Sequence, residues 1–129
     1  VDAMNEIVWA LNTSNDSLKS MMGYIRQHVS ALLSNAGIKL ELNEPIDYPN
    51  KFVSGRVRRN IFLIIKEICN NIVKHAFTKK VEITILVSTK LEIIISDYGV
   101  GINADDLENS SGMGLHNLKE RASEIGATI

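Results

Sequence analysis

The sequence predicts a two-layer α/β sandwich, in which a mixed sheet has helices on one face and a helical segment precedes the sheet. Three observations support this fold class. Apolar residues repeat at helical spacing over residues 3–34 and again over 54–77. Two strand-like runs, 81–87 and 91–96, are separated by a short connection that suits a hairpin. Strands and helices do not alternate regularly, which argues against a doubly wound βαβ fold.

The first 36 residues contain one apolar stripe that predicts helix. Its members recur along the chain at Met4, Leu11, Leu18, Ile25 and Leu32. A polar run at residues 12–17 interrupts the stripe, so we expect a short helix over about 3–11 and a second helix that ends near residue 34. Thr13 or Ser14 is the predicted N-cap of the second helix, and Gly37 is its predicted end.

Shorter patterns predict the remaining elements. Residues 38–42 alternate as a half-buried strand, and a long helix follows with Ser54 as its N-cap. In the hairpin, 81–87 alternates cleanly, whereas 91–96 is so continuously apolar that we expect burial on both faces. A last helix is predicted over 114–124, with Gly126 at its end.

Composition excludes several classes of protein. The 129 residues carry 14 basic and 15 acidic side chains, and this near-neutral balance argues against a dedicated nucleic-acid binder. No apolar run approaches the roughly 20 residues that a membrane span needs. The single cysteine excludes an intramolecular disulfide and a cysteine-cluster zinc site. We therefore expect a soluble, cytoplasmic domain that makes no membrane contact of its own.

Two smaller features receive structural interpretations. Cys69 projects towards an apolar side of the long helix, which predicts a buried and inert thiol. A basic cluster precedes that helix and enters its first turn, and it is interpreted as a solvated face. Its members are Lys51, Arg56, Arg58 and Arg59.

A carboxylate, a carboxamide and an amine line one margin of the long helix. In a projection at about 100° per residue, Glu67 and Asn71 lie one above the other at the edge of the apolar arc. Lys74 lies just outside that edge, Asn70 projects to the opposite side, and His75 falls inside the arc. Polar residues at a core boundary are often purely structural, so this helix alone does not decide between structure and function.

Two glycine-containing loops could approach a ligand closely. Asp97 follows an apolar strand and precedes Gly99 and Gly101, which would let backbone lie against a bound molecule. Gly112 and Gly114 open a helix, whose first N–H groups suit phosphate oxygens. Each pattern is weak by itself, because glycines also occur in ordinary turns.

Taken together, these segments resemble the nucleotide-binding motifs of sensor histidine kinases. Residues 66–76 (KEICNNIVKHA) resemble the N box, 97–101 (DYGVG) the G1 box, and 112–122 (GMGLHNLKERA) the G2 box. Their order and spacing are those of the GHKL ATPase superfamily, whose Bergerat fold agrees with the predicted sandwich. The resemblance implies an ATP-binding catalytic domain over 37–129, incomplete at its C-terminal end. Residues 1–36 resemble the end of the dimerisation region and its linker to the ATPase domain.

The resemblance assigns roles to residues of the long helix and the first loop. It implies that Asn71 ligates Mg²⁺, and that Glu67 acts as a general base or orients the phosphoacceptor. Lys74 would contact phosphate, His75 would lie against the nucleotide, and Asp97 would accept the adenine amino group. Residues 102–111 would form a short ATP lid that lacks lysine and arginine. The remaining nucleotide contacts implied are Gly99, Gly101, Ile102, Gly112, Gly114 and Leu115.

The implied function is transfer of the γ-phosphoryl group of Mg·ATP to a histidine in two-component signalling. None of the three histidines precedes an acidic residue, so the acceptor is expected on a dimerisation helix outside this chain. The chain alone is then expected not to autophosphorylate. Implied partners are that phosphoacceptor helix and a response regulator, within a homodimeric parent protein that could be anchored in the inner membrane. Two alternatives remain open at this point: an anti-sigma-factor-type serine kinase of the same fold, and a non-catalytic nucleotide-binding module.

Overall fold

The computed structural model describes residues 2–12, 16–76, 78–97, 122 and 126. Two helices come first, α1 (Asp2–Leu11) and α2 (Leu18–Asn35). Strand β1 (Lys39–Asn43) follows, and then helix α3 (Gly55–Asn71), which runs directly into a π-helical turn (Ile72–Ala76). Strands β2 (Lys80–Val87) and β3 (Leu91–Asp97) complete the described elements.

The three described strands form one mixed sheet in the order β1-β2-β3. Strands β1 and β2 are parallel, with Leu40 opposite Val81, whereas β2 and β3 are antiparallel, with Ile83 opposite Ile95. A short turn joins β2 to β3, and in it the Ser88 N–H donates to the Lys90 carbonyl. The predicted hairpin and the predicted mixed sheet are confirmed.

The core lies between one face of the sheet and the helices. Alternate residues of β2, namely Val81, Ile83 and Ile85, are buried, and their neighbours in the other two strands extend the same apolar face. Buried side chains of α2 and α3 belong to the same cluster. The opposite face is more open, because Ile94 of β3 is 47% exposed. The prediction that residues 91–96 are buried on both faces is therefore wrong.

The ends of α2 are set by local hydrogen bonds. Ser17 is its N-cap, and the Ser17 hydroxyl accepts from the Ser20 N–H. The predicted cap at Thr13 or Ser14 is therefore wrong, and those two residues lie outside the described part of the chain. Gly37 ends the helix as predicted: its φ is 72°, and the N–H groups after the helix donate back to the Ser34 and Leu33 carbonyls.

Helix α3 begins as predicted and ends earlier. The Ser54 hydroxyl accepts from the Val57 N–H, which confirms Ser54 as the N-cap. The α-helical part ends at Asn71 rather than near residue 77, and the π-helical turn continues it. The predicted helix over 114–124 falls almost entirely outside the described residues. Within it Ala122 is helical and buried, and Gly126 has a φ of 71°.

Candidate functional site

Helix α3 carries Glu67 and Asn71 in adjacent turns. Residues four apart on an α-helix lie one above the other, so both side chains occupy one margin of the helix. Both are half-buried, and Asn71 is the last α-helical residue. Asn70 is also half-buried, so exposure alone does not separate the two asparagines. The margin therefore holds oxygen donors of two kinds, a carboxylate and a carboxamide.

The π-helical turn changes the direction of the side chains that follow Asn71. A π-helix has more residues per turn than an α-helix, so the projection that put His75 in the apolar arc does not hold beyond this point. Lys74 is exposed and His75 is half-buried. Single π-helical turns occur often at functional sites. This turn is located where the sequence predicts contacts with phosphate and nucleotide.

Asp97 is the last residue of β3. It lies opposite Val81, and the alternation of the strand places it on the helix-facing side together with Ile93 and Ile95. The Asp97 side chain is half-buried. A carboxylate at the end of a buried strand face can accept a hydrogen bond from a ligand that enters between the sheet and the helices.

The chain topology brings the end of the π-helical turn and Asp97 to the same end of the sheet. Ala76 precedes Lys80, the first residue of β2, by four peptide units, which span at most about 15 Å. The Thr78 hydroxyl fixes this connection, since it donates to the Lys80 carbonyl (2.8 Å) and accepts from the Lys80 N–H (3.2 Å). Residue 81 then pairs with Asp97. The polar margin of α3 and the strand-end carboxylate thus lie at the same end of the domain.

The donor set suits Mg²⁺ bound together with phosphate. Within the described residues no group of three or more histidine, cysteine, aspartate or glutamate side chains could hold a metal ion. Glu67 and Asn71 offer a few hard oxygen atoms at one margin of α3. Mg²⁺ is usually held by one or two protein oxygens, with substrate phosphates and water completing its octahedron. The residues that the structure describes fit that mode and do not fit an all-protein metal cage.

Six of the eleven predicted site residues fall outside the described part of the structure. All six are predicted nucleotide contacts, and their roles stay predictions. They are Gly99, Gly101, Ile102, Gly112, Gly114 and Leu115.

The interpretation of the basic cluster as a solvated face is confirmed for three of its four members and is wrong for Arg58. Lys51, Arg56 and Arg59 are exposed, whereas Arg58 is fully buried, with 0% of its surface exposed. The helical position of Arg58 indicates this burial, whereas the basic composition of the cluster does not. Arg58 lies four residues before Phe62, on the same stripe of α3 as the buried residues further along the helix.

The interpretation of Cys69 is confirmed. Its side chain is fully buried, and burial raises the pKa of the thiol to about 11. A neutral, enclosed thiol of this kind is a packing residue.

Comparison with known proteins identifies the family. Residues 56–129 match the family described as histidine kinase-, DNA gyrase B- and HSP90-like ATPases. The match covers more than half of the chain and includes α3 apart from its first residue, the hairpin and all three predicted motifs. The chain belongs to this ATPase family.

Two curated relatives are named as sensor proteins, and one of them as a sensor histidine kinase. The chain is 29% identical over 103 residues to the sensor histidine kinase LiaS of Bacillus subtilis (strain 168). The aligned region covers 79% of this chain and 28% of the relative. It is 37% identical over 74 residues to the sensor protein VraS of Staphylococcus saprophyticus, which covers 57% of this chain and 21% of the relative. The chain thus spans about a quarter of the length of these relatives.

Solved structures share the fold. The histidine kinase domain of the blue-light activated kinase EL346 from Erythrobacter litoralis superposes with a TM-score of 0.67 at 22% identity, over 82% of this chain and 52% of that one. The histidine kinase AdeS of Acinetobacter baumannii gives a TM-score of 0.61 at 18% identity, over 93% of this chain and 64% of that one.

Among the described helices, none combines the length and the apolarity that crossing a bilayer requires.

Proposed function

We propose that this chain is the ATP-binding catalytic part of a sensor histidine kinase. In this proposal it binds Mg·ATP and transfers the γ-phosphoryl group to a histidine on a dimerisation helix outside the chain. The observation that carries the proposal is the joint position of the polar α3 margin and Asp97 at one end of the domain. Membership of the ATPase family supports it, as do the relatives LiaS, a sensor histidine kinase, and VraS, a sensor protein.

In this proposal, different described residues contact the two ends of the nucleotide. The Asp97 carboxylate accepts the adenine amino group, which gives the base its orientation. At the other end of the nucleotide, Lys74 contacts phosphate and His75 lies against the bound molecule. Lys74 is exposed and can reach a ligand without losing a buried partner. The lid and glycine residues assigned from the sequence complete the same site.

Asn71 would hold Mg²⁺ through its carboxamide oxygen. When bound, the ion neutralises phosphate charge and fixes the position of the phosphoryl group. Glu67, one turn before Asn71, orients the acceptor imidazole or takes its proton. Phosphoryl transfer depends mainly on positioning and on stabilising charge, so a rigid helix that carries both residues suits the reaction.

The proposal includes partners and a cellular location. The phosphoryl group passes from the acceptor histidine to a response regulator, and the parent protein is a homodimer formed through its dimerisation helices. We place this part of the protein in the cytoplasm, where its proposed substrate ATP is found. Anchorage of the full-length protein in the inner membrane is compatible with that placement.

Calorimetric titration with ATP, with and without Mg²⁺, tests the proposal. We expect saturable binding of one ATP per chain, with tighter binding when Mg²⁺ is present. A folded chain that takes up no ATP under either condition would contradict the proposal. Transfer of labelled phosphate to a serine of an added protein, in preference to a histidine-containing dimerisation helix, would favour the serine-kinase alternative.

A further inference from the structure

A buried arginine joins the end of α1 to the start of α3. Among the described residues, Arg58 is the charged side chain that is fully removed from solvent. Its guanidinium donates to the Asp16 carboxylate and to the carbonyls of Ala10 and Val53. A further hydrogen bond of 3.3 Å reaches the Asn12 carbonyl. We call this set of five residues the Arg58 junction.

The chemistry of the Arg58 junction requires arginine. A guanidinium presents five N–H donors in a planar fork, so one side chain can satisfy several acceptors at once. A buried charge is costly unless it is paired and hydrogen-bonded. If α1 moved away, Arg58 would lose the Ala10 and Asn12 carbonyls, which lie at the end of that helix. The arrangement therefore favours one docked position of α1.

Two further contacts build the same joint. Gly55, the first residue of α3, has no room for a side chain, because a Cβ there would overlap the Ala10 carbonyl. Trp9 stacks on Tyr24 of α2 at 4.1 Å between ring centroids and contacts Phe62 of α3 at 5.8 Å. The Arg58 guanidinium lies 5.7 Å from the centroid of the Trp9 ring. A close backbone approach, an aromatic stack and a buried cation thus coincide.

This joint is continuous with the candidate site through α3. Phe62 lies one turn beyond Arg58 and faces the same side, where it also meets His28 at 4.8 Å. Glu67 and Asn71 follow on the same uninterrupted α-helix. A displacement of the first turns of α3 would therefore change the positions of Glu67 and Asn71 relative to the sheet.

We propose that Arg58 is a positioning residue for the nucleotide site: by docking α1 on the first turns of α3, it holds Glu67 and Asn71 in their binding arrangement. The proposal rests on the proposed function, since it concerns ATP bound at that site. By thermodynamic reciprocity, if docked α1 favours ATP binding, bound ATP also favours docked α1.

Trp9 makes the docking of α1 measurable, because it is the single tryptophan of the chain. The test compares Arg58→Met with Arg59→Met. Arg59 is the exposed neighbour of Arg58, and its replacement by Met removes the same charge. In Arg58→Met we expect red-shifted Trp9 emission, stronger acrylamide quenching, and ATP affinity at least about fivefold weaker, the lower end of common coupling effects. Arg59→Met should match the unaltered chain. In the unaltered chain, saturating Mg·ATP should reduce the quenching of Trp9.

A second variant reaches the joint without changing charge. Gly55→Ala places a methyl group against the Ala10 carbonyl, so it should also expose Trp9 and weaken ATP binding. Circular dichroism and a cooperative urea transition identify folded variants, and if one variant does not fold the other decides. Shielded Trp9 in both would overturn the docking role. Exposed Trp9 with unchanged ATP affinity would show that Arg58 docks α1 without affecting the nucleotide site, which would overturn the positioning role. Absence of ATP binding by the unaltered chain would instead refute the proposed function.

Discussion

Asp97 at the end of β3 lies directly opposite Val81 near the start of β2. Side chains alternate along a strand, so a register shift of one residue would move Asp97 to the opposite face of the sheet. The observed register instead places it on the face that carries the buried Ile83 and Ile85 partners, towards the helices. This pairing therefore sets where a ligand base could meet the carboxylate.

The first prediction concerns the Asp97 carboxylate. Asp97→Asn replaces one acceptor oxygen with an amide donor, which would face the donor amino group of adenine. Loss of a hydrogen bond to a charged group costs about 1.5–3 kcal/mol, so ATP affinity should fall more than about tenfold. Calorimetric titration with ATP measures the effect.

Glu92→Gln is the matched control for Asp97→Asn. Glu92 is an exposed residue of the same strand, and its register with Leu86 places it on the opposite face. It should bind ATP as the unaltered chain does. Equal affinity of a folded Asp97→Asn variant and this control would show that adenine is not bound by Asp97.

The second prediction separates two adjacent asparagines. Asn71 shares a helix margin with Glu67, whereas Asn70 is turned away by about 100°. Asn71→Ala should abolish the enhancement of ATP binding by Mg²⁺, and Asn70→Ala should preserve it. Titrations at fixed ATP with increasing Mg²⁺ measure the difference. Loss of the Mg²⁺ effect in Asn70→Ala alone would mean that the helical phase assumed for the site is wrong.

Short-range patterns account for the elements that could be predicted. The cap at Ser54, the glycine end at Gly37 and the hairpin each depend on residues within a few positions, which sequence displays directly. The position of Asp97 at the end of a strand follows from the same local alternation. In these places local preference and tertiary structure agree.

Long-range contacts explain what could not be predicted. Ser17, rather than an earlier residue, caps α2 because residues 16–18 pair with a distant segment: the Val53 N–H donates to the Asp16 carbonyl, and the Leu18 N–H to the Lys51 carbonyl. Arg58 is buried because acceptors from three separate parts of the chain surround it. The π-helical turn could not be predicted either, because the helical projection assumes α-helical geometry throughout. Helical periodicity aligns Arg58 with Phe62, but neither composition nor periodicity identifies these distant partners.

The third prediction uses two glycines with opposite roles. Gly37 has a φ of 72°, so Gly37→Ala should lower the free energy of unfolding by about 1–2 kcal/mol. Gly23 lies inside α2, where an added methyl group would meet no neighbouring group of the described chain within 4 Å. Gly23→Ala should therefore raise the free energy of unfolding by about 0.5–1 kcal/mol. Urea unfolding followed by circular dichroism measures both. Changes of the same sign would contradict the assigned backbone conformations.

The fourth prediction concerns stability at alkaline pH. Burial raises the pKa of Cys69 to about 11, above the value of about 8.5 expected in the unfolded chain. Between these two values the unfolded thiol loses its proton while the folded thiol keeps it, so stability falls as pH rises. The loss from this residue should be about 2 kcal/mol at pH 10 relative to pH 7.5.

Cys69→Ala isolates that contribution. The variant should lose less stability than the unaltered chain when urea unfolding is repeated at pH 7.5 and pH 10. Tyr48 also contributes at high pH, because burial and its hydrogen bond to Glu44 raise its pKa to about 12, but both proteins retain this residue. Identical losses in the two proteins would show that the Cys69 thiol does not titrate as the structure indicates.

The final prediction is that this chain binds ATP without phosphorylating itself. His28 is half-buried, and its ring packs edge-on against Phe62 at 4.8 Å and lies beside Tyr24 at 6.4 Å, so it is held in the helix packing. His75 belongs to the π-helical turn next to Lys74, within the scaffold of the proposed site, and His116 lies outside the described residues. In-line transfer needs an acceptor that can approach the γ-phosphate within attacking distance, and neither His28 nor His75 meets this condition. With γ-labelled ATP the chain should therefore remain unlabelled, whereas an added dimerisation segment of the parent protein should acquire acid-labile, base-stable label. Label on this chain alone that disappears in His28→Gln would show that His28 leaves its packed position and serves as the acceptor.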